Sequence, residues 1–167
     1  MGFTEHSYAH AAKVARDAGN ILKTLGYSEH EVELAKIAGY LHDIGNLINR
    51  SDHAQSGAIM AFTLLSRLGA DPEDVATISS AIGNHDESTA VAVNPVTAAL
   101  ILADKSDVRR TRVRDKNKKM ADIHDRVNYA VEENSMRISE DKQSITLQLT
   151  IDTQISSVMD YFEIFLG

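Results

Sequence analysis

Residues 39–46 read Gly-Tyr-Leu-His-Asp-Ile-Gly-Asn (GYLHDIGN), and the setting of His42 and Asp43 in that string decides how the rest of the chain is read. Upstream, Leu34, Ile37, Ala38 and Leu41 recur at helical spacing, and Ser28 with Glu31 three residues on has the pattern of a capping box. The spacing predicts a helix that opens at Ser28 and runs until Gly45 stops it. His42 lies one turn beyond Ala38 and beside Leu41, at the edge of the apolar stripe, which predicts a buried imidazole next to a carboxylate. Unpaired polar and charged groups are costly in a core, so such a pair needs partners.

Other helices supply candidates. Residues 4–25 carry Ala11, Val14, Ala15, Ala18, Ile21, Leu22 and Leu25 on one stripe, with His10 beside Val14 and Gly26 as a helix-ending glycine. Asp52 with Gln55 predicts the cap of a third helix through Ala58, Phe62 and Leu65, with His53 at its start. Asp71-Pro72 opens a fourth that reaches about Asn84, with His85 at its end. Asn94-Pro95 opens a fifth through Val96, Ala99, Leu100 and Ala103, which puts Asp104 one turn past Leu100. Gly39 suits a close approach between helices, and Gly45 a helix stop.

Beyond position 120 the pattern changes. Residues 121–133 predict a short helix, and Ile145, Leu147, Leu149 and Ile151 then alternate with polar residues at period two, a half-buried strand with Met136 and Ile138 in its hairpin partner. Ile155, Val158, Met159, Phe162 and Phe165 predict a terminal amphipathic helix. A lone two-stranded hairpin is marginal, so this one must pack on the helices or pair with another chain, which makes a homodimer an open expectation. The expected fold is mainly α: a helical bundle with a small C-terminal β-hairpin and terminal helix, residues 1–120 forming the helical metal-binding part and 121–167 packing on the same domain.

Composition narrows the chemistry. At 167 residues with 43% hydrophobic residues and two prolines, the chain can bury one sizeable core. It has no cysteine, so any metal must be held by His, Asp and Glu, and neutral imidazole with carboxylate suits a first-row divalent ion. No run of apolar residues reaches the length of a membrane span and the start lacks a signal-peptide pattern, so the expectation is a cytoplasmic protein with no membrane partner. A net charge of −7 disfavours long nucleic acid. Yet eight of the 17 basic residues fall between Lys105 and Lys119. At helical spacing Lys105 and Arg109 share a face near Asp104, so they are the expected contacts to a phosphoryl group. The bland alternative for this run is a solvated face. His30, flanked by Glu29 and Glu31, is given no role.

His10, then LHDIG, His53, His85 and Asp104, in that order and in the contexts HAAKV, GYLHDIG, DHAQSGA, GNHDE and LILADKSD, resemble the HD-domain metal-dependent phosphohydrolases over about residues 4–110. A second pair, His124-Asp125, sits in the polar run ADIHDRVN and reads as a solvated face. The resemblance implies a helical HD-domain bundle in which His10, His42, Asp43 and Asp104 hold one divalent metal. His53 and His85 would suit a second, with Asp43 bridging, and His6 or Asp86 could add a ligand. The metal (Mn, Fe, Mg, Zn, Ni or Co) and the number of ions, one or two, are left open.

The same resemblance implies hydrolysis of a small phosphate ester, with a nucleotide as the expected substrate, by metal-activated water, with Asp43, His53, His85, Lys105 and Arg109 as the catalytic set. Asn46 stands where a subgroup acting on cyclic dinucleotides has Lys, and the Gly-Tyr-Pro string of that subgroup is absent after Glu87, which turns the expectation away from such substrates. Two rival readings accompany it: an inactive regulatory module that binds metal and nucleotide, and a diiron oxygenase with the same ligand order.

Overall fold

The computed structural model describes residues 8–87, 89–113 and 123–165. The chain divides into two compact units, Ala11–Asp104 on one side and, on the other, the residues through His10 together with those from Lys105 onward. The expected boundary at 120/121 lies outside the described residues.

The first unit is helical. Helix α1 spans Tyr8–Leu25, its first three residues belonging to the second unit, and buries Val14, Ala15, Ala18, Ile21 and Leu22. It ends as expected: Gly26 adopts φ 97°, and its N–H and that of Tyr27 close back on the carbonyls of Lys23 and Leu22. Helix α2 spans Glu29–Leu41 and opens with the full capping box, Ser28 Oγ accepting from the Glu31 N–H and the Glu31 carboxylate accepting from the Ser28 N–H. It stops before Gly45. The Gly39 carbonyl accepts the His42 imidazole N–H at 2.7 Å, and a short 3-10 turn over Ile44–Leu47 follows.

Gly45 has a different duty from the one its sequence suggests. A Cβ there would run into the His53 carbonyl oxygen and come within 2.6 Å of the Gly57 nitrogen, so the turn lies directly on the start of helix α3, His53–Arg67. Gly39 allows the close approach expected of it, since its Cβ would meet Ala15 Cα at 2.5 Å on α1. Two glycines thus press α2 and the turn after it onto α1 and α3.

Helix α3 departs from expectation twice. Asp52 makes no side-chain cap; it sits in the left-handed region, which a short polar side chain tolerates, and offers its backbone carbonyl to Ser56 Oγ and N–H. The buried face is His53, Ala54, Gly57 and Ala61, which leaves Phe62 about half exposed. Small residues face inward because the neighbouring backbone is so close. Helix α4, Pro72–Gly83, starts as predicted with Asp71 accepting from the Glu73 N–H. Helix α5, Pro95–Ser106, starts with Asn94 Oδ1 accepting from Thr97.

In the second unit a 3-10 turn over Arg110–Arg112 precedes helix α6, Ile123–Ala130. The helix predicted to 133 gives way at Val131 to strand β1, Val131–Ile138, which pairs antiparallel with β2, Ile145–Ile151. The register sets Met136 against Leu147 and Ile138 against Ile145. Helix α7, Val158–Phe165, is capped by Ser157, which accepts from the Asp160 N–H. Leu149 and Ile151 pack with Val108, Val127, Val131, Tyr161 and Ile164, so one end of the hairpin's apolar face is used within the chain, while Ile145 at the other end is exposed. Asp125 corrects the reading of the second His-Asp pair: it is buried rather than solvated, on the same face as Asn128.

The glycine contacts generate a test. Gly39→Ala and Gly45→Ala should each destabilise the protein by about 2 kcal/mol or more, since backbone cannot yield as a side chain can. Gly83→Ala, whose Cβ would meet only the Ala58 methyl at 3.4 Å, should be nearly neutral in urea unfolding.

Candidate metal centre

Three helix ends and the last turn of a fourth helix supply the site in the first unit. His42 and Asp43 follow α2, His53 begins α3, His85 lies two residues beyond α4, and Asp104 is on α5. The three imidazoles are buried, and the side chains of Asp43 and Asp104 are 12% exposed. Asp43 stands between two rings, its Oδ2 3.3 Å from His42 Nε2 and its Oδ1 3.5 Å from His53 Nε2. Asp104 Oδ1 is 3.7 Å from His42 Nε2. His85 meets the rings of His42 and His53 edge-on, with centroids 5.0 and 5.1 Å apart. One donor atom from each of His42, Asp43 and His85 lies within 4.8 Å of the others.

The orientation of the rings follows from one repeated local contact. His42 Nδ1 lies 2.7 Å from the Gly39 carbonyl, His53 Nδ1 3.2 Å from the Arg50 carbonyl, and His85 Nδ1 2.6 Å from the Ile82 carbonyl. Each partner is three residues upstream. A carbonyl oxygen only accepts, so each Nδ1 carries a hydrogen, and in the neutral ring the lone pair is on Nε2. This is the arrangement that fixes the tautomer of a metal-binding histidine.

The donor set therefore fits a divalent cation: three imidazoles gathered with carboxylates, the Nε2 atoms of His42 and His53 both facing Asp43. The same carboxylates draw a proton. Burial by itself depresses the His42 pKa, but the charge and hydrogen bond of Asp43 and the charge of Asp104 more than offset it, raising it to about 9. For His53 burial prevails, helped by the Arg50 charge, and its pKa is lowered despite Asp43 and Asp86. Asp86 Oδ1 is 3.9 Å from His53 Nε2, on the side of the centre that opens into a cleft.

An HD-domain family model matches residues 7–164. The chain belongs to the HD-domain family. That places it in a superfamily of metal-dependent phosphohydrolase type, and the His/Asp cluster is where an HD domain would hold its divalent metal. No solved structure gives a significant match.

Of the expected residues, the fold gathers His42, Asp43, His53, His85 and Asp104. His10 belongs to the second unit, where its Nδ1 is 2.7 Å from Asp107 Oδ2. Asp107 is a residue the sequence reading missed. It is fully buried, and although burial opposes it, the His10 hydrogen bond and the Arg109 and Arg112 guanidinium groups hold its pKa at about 2. Its one signal is position, one turn after Asp104 in the string LILADKSD.

The basic run is reassigned in part. Helix α5 ends at Ser106 and Arg109 is extended, so Lys105 and Arg109 do not share a helical face. The Arg109 guanidinium donates to both Asp107 oxygens, at 2.8 and 3.4 Å, and Arg112 donates to the Asp107 carbonyl. Lys105 is in the last turn of α5. His6, Arg114, Lys116, Lys118 and Lys119 lie outside the described residues.

Metal analysis separates ligands from bystanders. His42→Ala and Asp43→Asn should lose most of the bound metal in elemental analysis of the purified protein. His30→Ala should retain it, since His30 is an exposed residue paired with Asp74.

Proposed function

We propose that this HD-domain protein hydrolyses a small phosphate monoester, with a nucleotide the expected class. The observation that carries the reading is Asp43 set between His42 and His53, with three rings locked to present Nε2. His42, Asp43 and Asp104 would hold one metal together with His10, the further ligand implied by the family pattern. His53 and His85 would serve a second, with Asp43 shared. A divalent ion held there would supply Lewis acidity toward a phosphoryl oxygen and would lower the pKa of a water toward about 7.

The protein's own groups do the rest. The carbonyls of Gly39, Arg50 and Ile82 keep the rings from turning, so the donors are set before a substrate arrives. A cleft of about 370 Å³ opens beside His53 and is lined by Arg50, Ser51, Asp52, Gln55, Asp86, Glu87 and Thr89. That volume accommodates a small ligand, and hydroxyl, amide and carboxylate groups suit a hydroxyl-bearing leaving group such as a sugar. Asp86 and Glu87 are two of the three carboxyl groups among the described residues of the cleft, and either could give a proton to a leaving oxygen. Lys105 is the residue of the basic run retained for the phosphoryl charge.

Phosphate release from a panel of nucleoside monophosphates and sugar phosphates, with added Mn²⁺, tests this reading. Activity should vanish with chelator and return with metal, and Asp43→Asn should lower kcat/KM by about a hundred- to a thousandfold. Tight nucleotide binding without turnover under any divalent ion would favour a binding module, and dioxygen consumption would favour an oxygenase.

A further inference from the structure

Arg50 occupies a position that the metal-ligand set does not explain. It lies between the 3-10 turn and α3, and two parts of it face His53 in opposite ways. Its backbone carbonyl accepts from Nδ1 at 3.2 Å, while guanidinium Nη1 is 3.3 Å from Nε2, the atom that would face a metal. Its side chain is partly buried and lines the cleft with His53, Asp52, Asp86 and Glu87. Among the described residues no carboxylate ion-pairs with it, in contrast to Arg109 with Asp107 and Arg126 with Asp160.

A guanidinium cannot share the Nε2 lone pair with a divalent cation, because the two positive charges repel and the lone pair serves one acceptor role at a time. With His53 engaged by a metal, the arginine has the cleft to turn into. There, among the described residues, it is the one cation of the lining. A planar fork of N–H donors matches the oxygens of a phosphoryl group, and it costs least where no carboxylate must be given up.

Resting on the phosphohydrolase reading above, we propose that Arg50 leaves His53 when the centre is loaded and holds the phosphoryl group of the substrate in the cleft. Its side chain acts on the anion, while its backbone carbonyl orients His53. Substitution separates the two duties, since the carbonyl remains whatever the side chain.

The test is calorimetric titration of inorganic phosphate into Mn²⁺-loaded protein, with metal content measured on the same samples. Arg50→Met should bind phosphate about ten- to a hundredfold more weakly than the wild type at unchanged metal content, the size expected of a lost charged hydrogen bond. Arg50→Lys should recover part of the loss, as a point charge without the fork. Wild-type phosphate affinity in a fully loaded Arg50→Met variant would overturn the role of Arg50 and leave the phosphohydrolase reading standing. Loss of metal together with phosphate would make the arginine a prop for His53, and would also overturn the proposal. A loaded wild type that binds no phosphate would overturn both.

Discussion

The centre depends on an imidazole N–H meeting the carbonyl three residues upstream. His42, His53 and His85 each make this contact where a helix ends or begins, and the second ring nitrogens of His42 and His53 converge on Asp43 as a result. A buried histidine left to choose its tautomer would present a donor or an acceptor according to its neighbours. Here the backbone makes the choice, and the lone pairs face inward. The interaction is local, so it costs little chain entropy, and it survives any change of occupant between proton and metal.

Local locks are useful only if the helix ends carrying them are held together. That is the task of Gly39 and Gly45, which bring α2 and its following turn against Ala15 of α1 and the His53 carbonyl of α3 at distances no larger residue permits. The small buried face of α3, Ala54, Gly57 and Ala61, belongs to the same arrangement. Backbone proximity and ring orientation are therefore one design: the glycines set where the histidines stand, and the carbonyls set which atom they show.

Much of this was legible in the residues because it is written in short-range chemistry. The Ser28–Glu31 box, the Asp71-Pro72 and Asn94-Pro95 helix starts and the Gly26 stop all depend on residues within a turn of one another. So does the period-two strand at 145–151, and the ordered string of His and Asp residues brought the family into view. The failures lie where distant parts of the chain decide. Asp52 looked like a cap and is left-handed, and Phe62 looked like core and is half exposed because small residues fill that face. Arg109 looked like a substrate contact, yet it neutralises Asp107, whose pairing with His10 spans 97 residues of sequence. Arg50 had no motif to announce it: its contacts with His53 are local, but the cleft it lines takes Asp86, Glu87 and Thr89 from beyond α4.

The most direct check on the central claim is nitrogen NMR of the histidine rings in ¹⁵N-labelled protein titrated with Zn²⁺, a diamagnetic ion. His42, His53 and His85 should keep a protonated Nδ1 throughout and their Nε2 resonances should shift on saturation, while His30 should not respond. Nε2 resonances that stay in place as zinc binds, or rings that expose an unprotonated Nδ1, would contradict that claim.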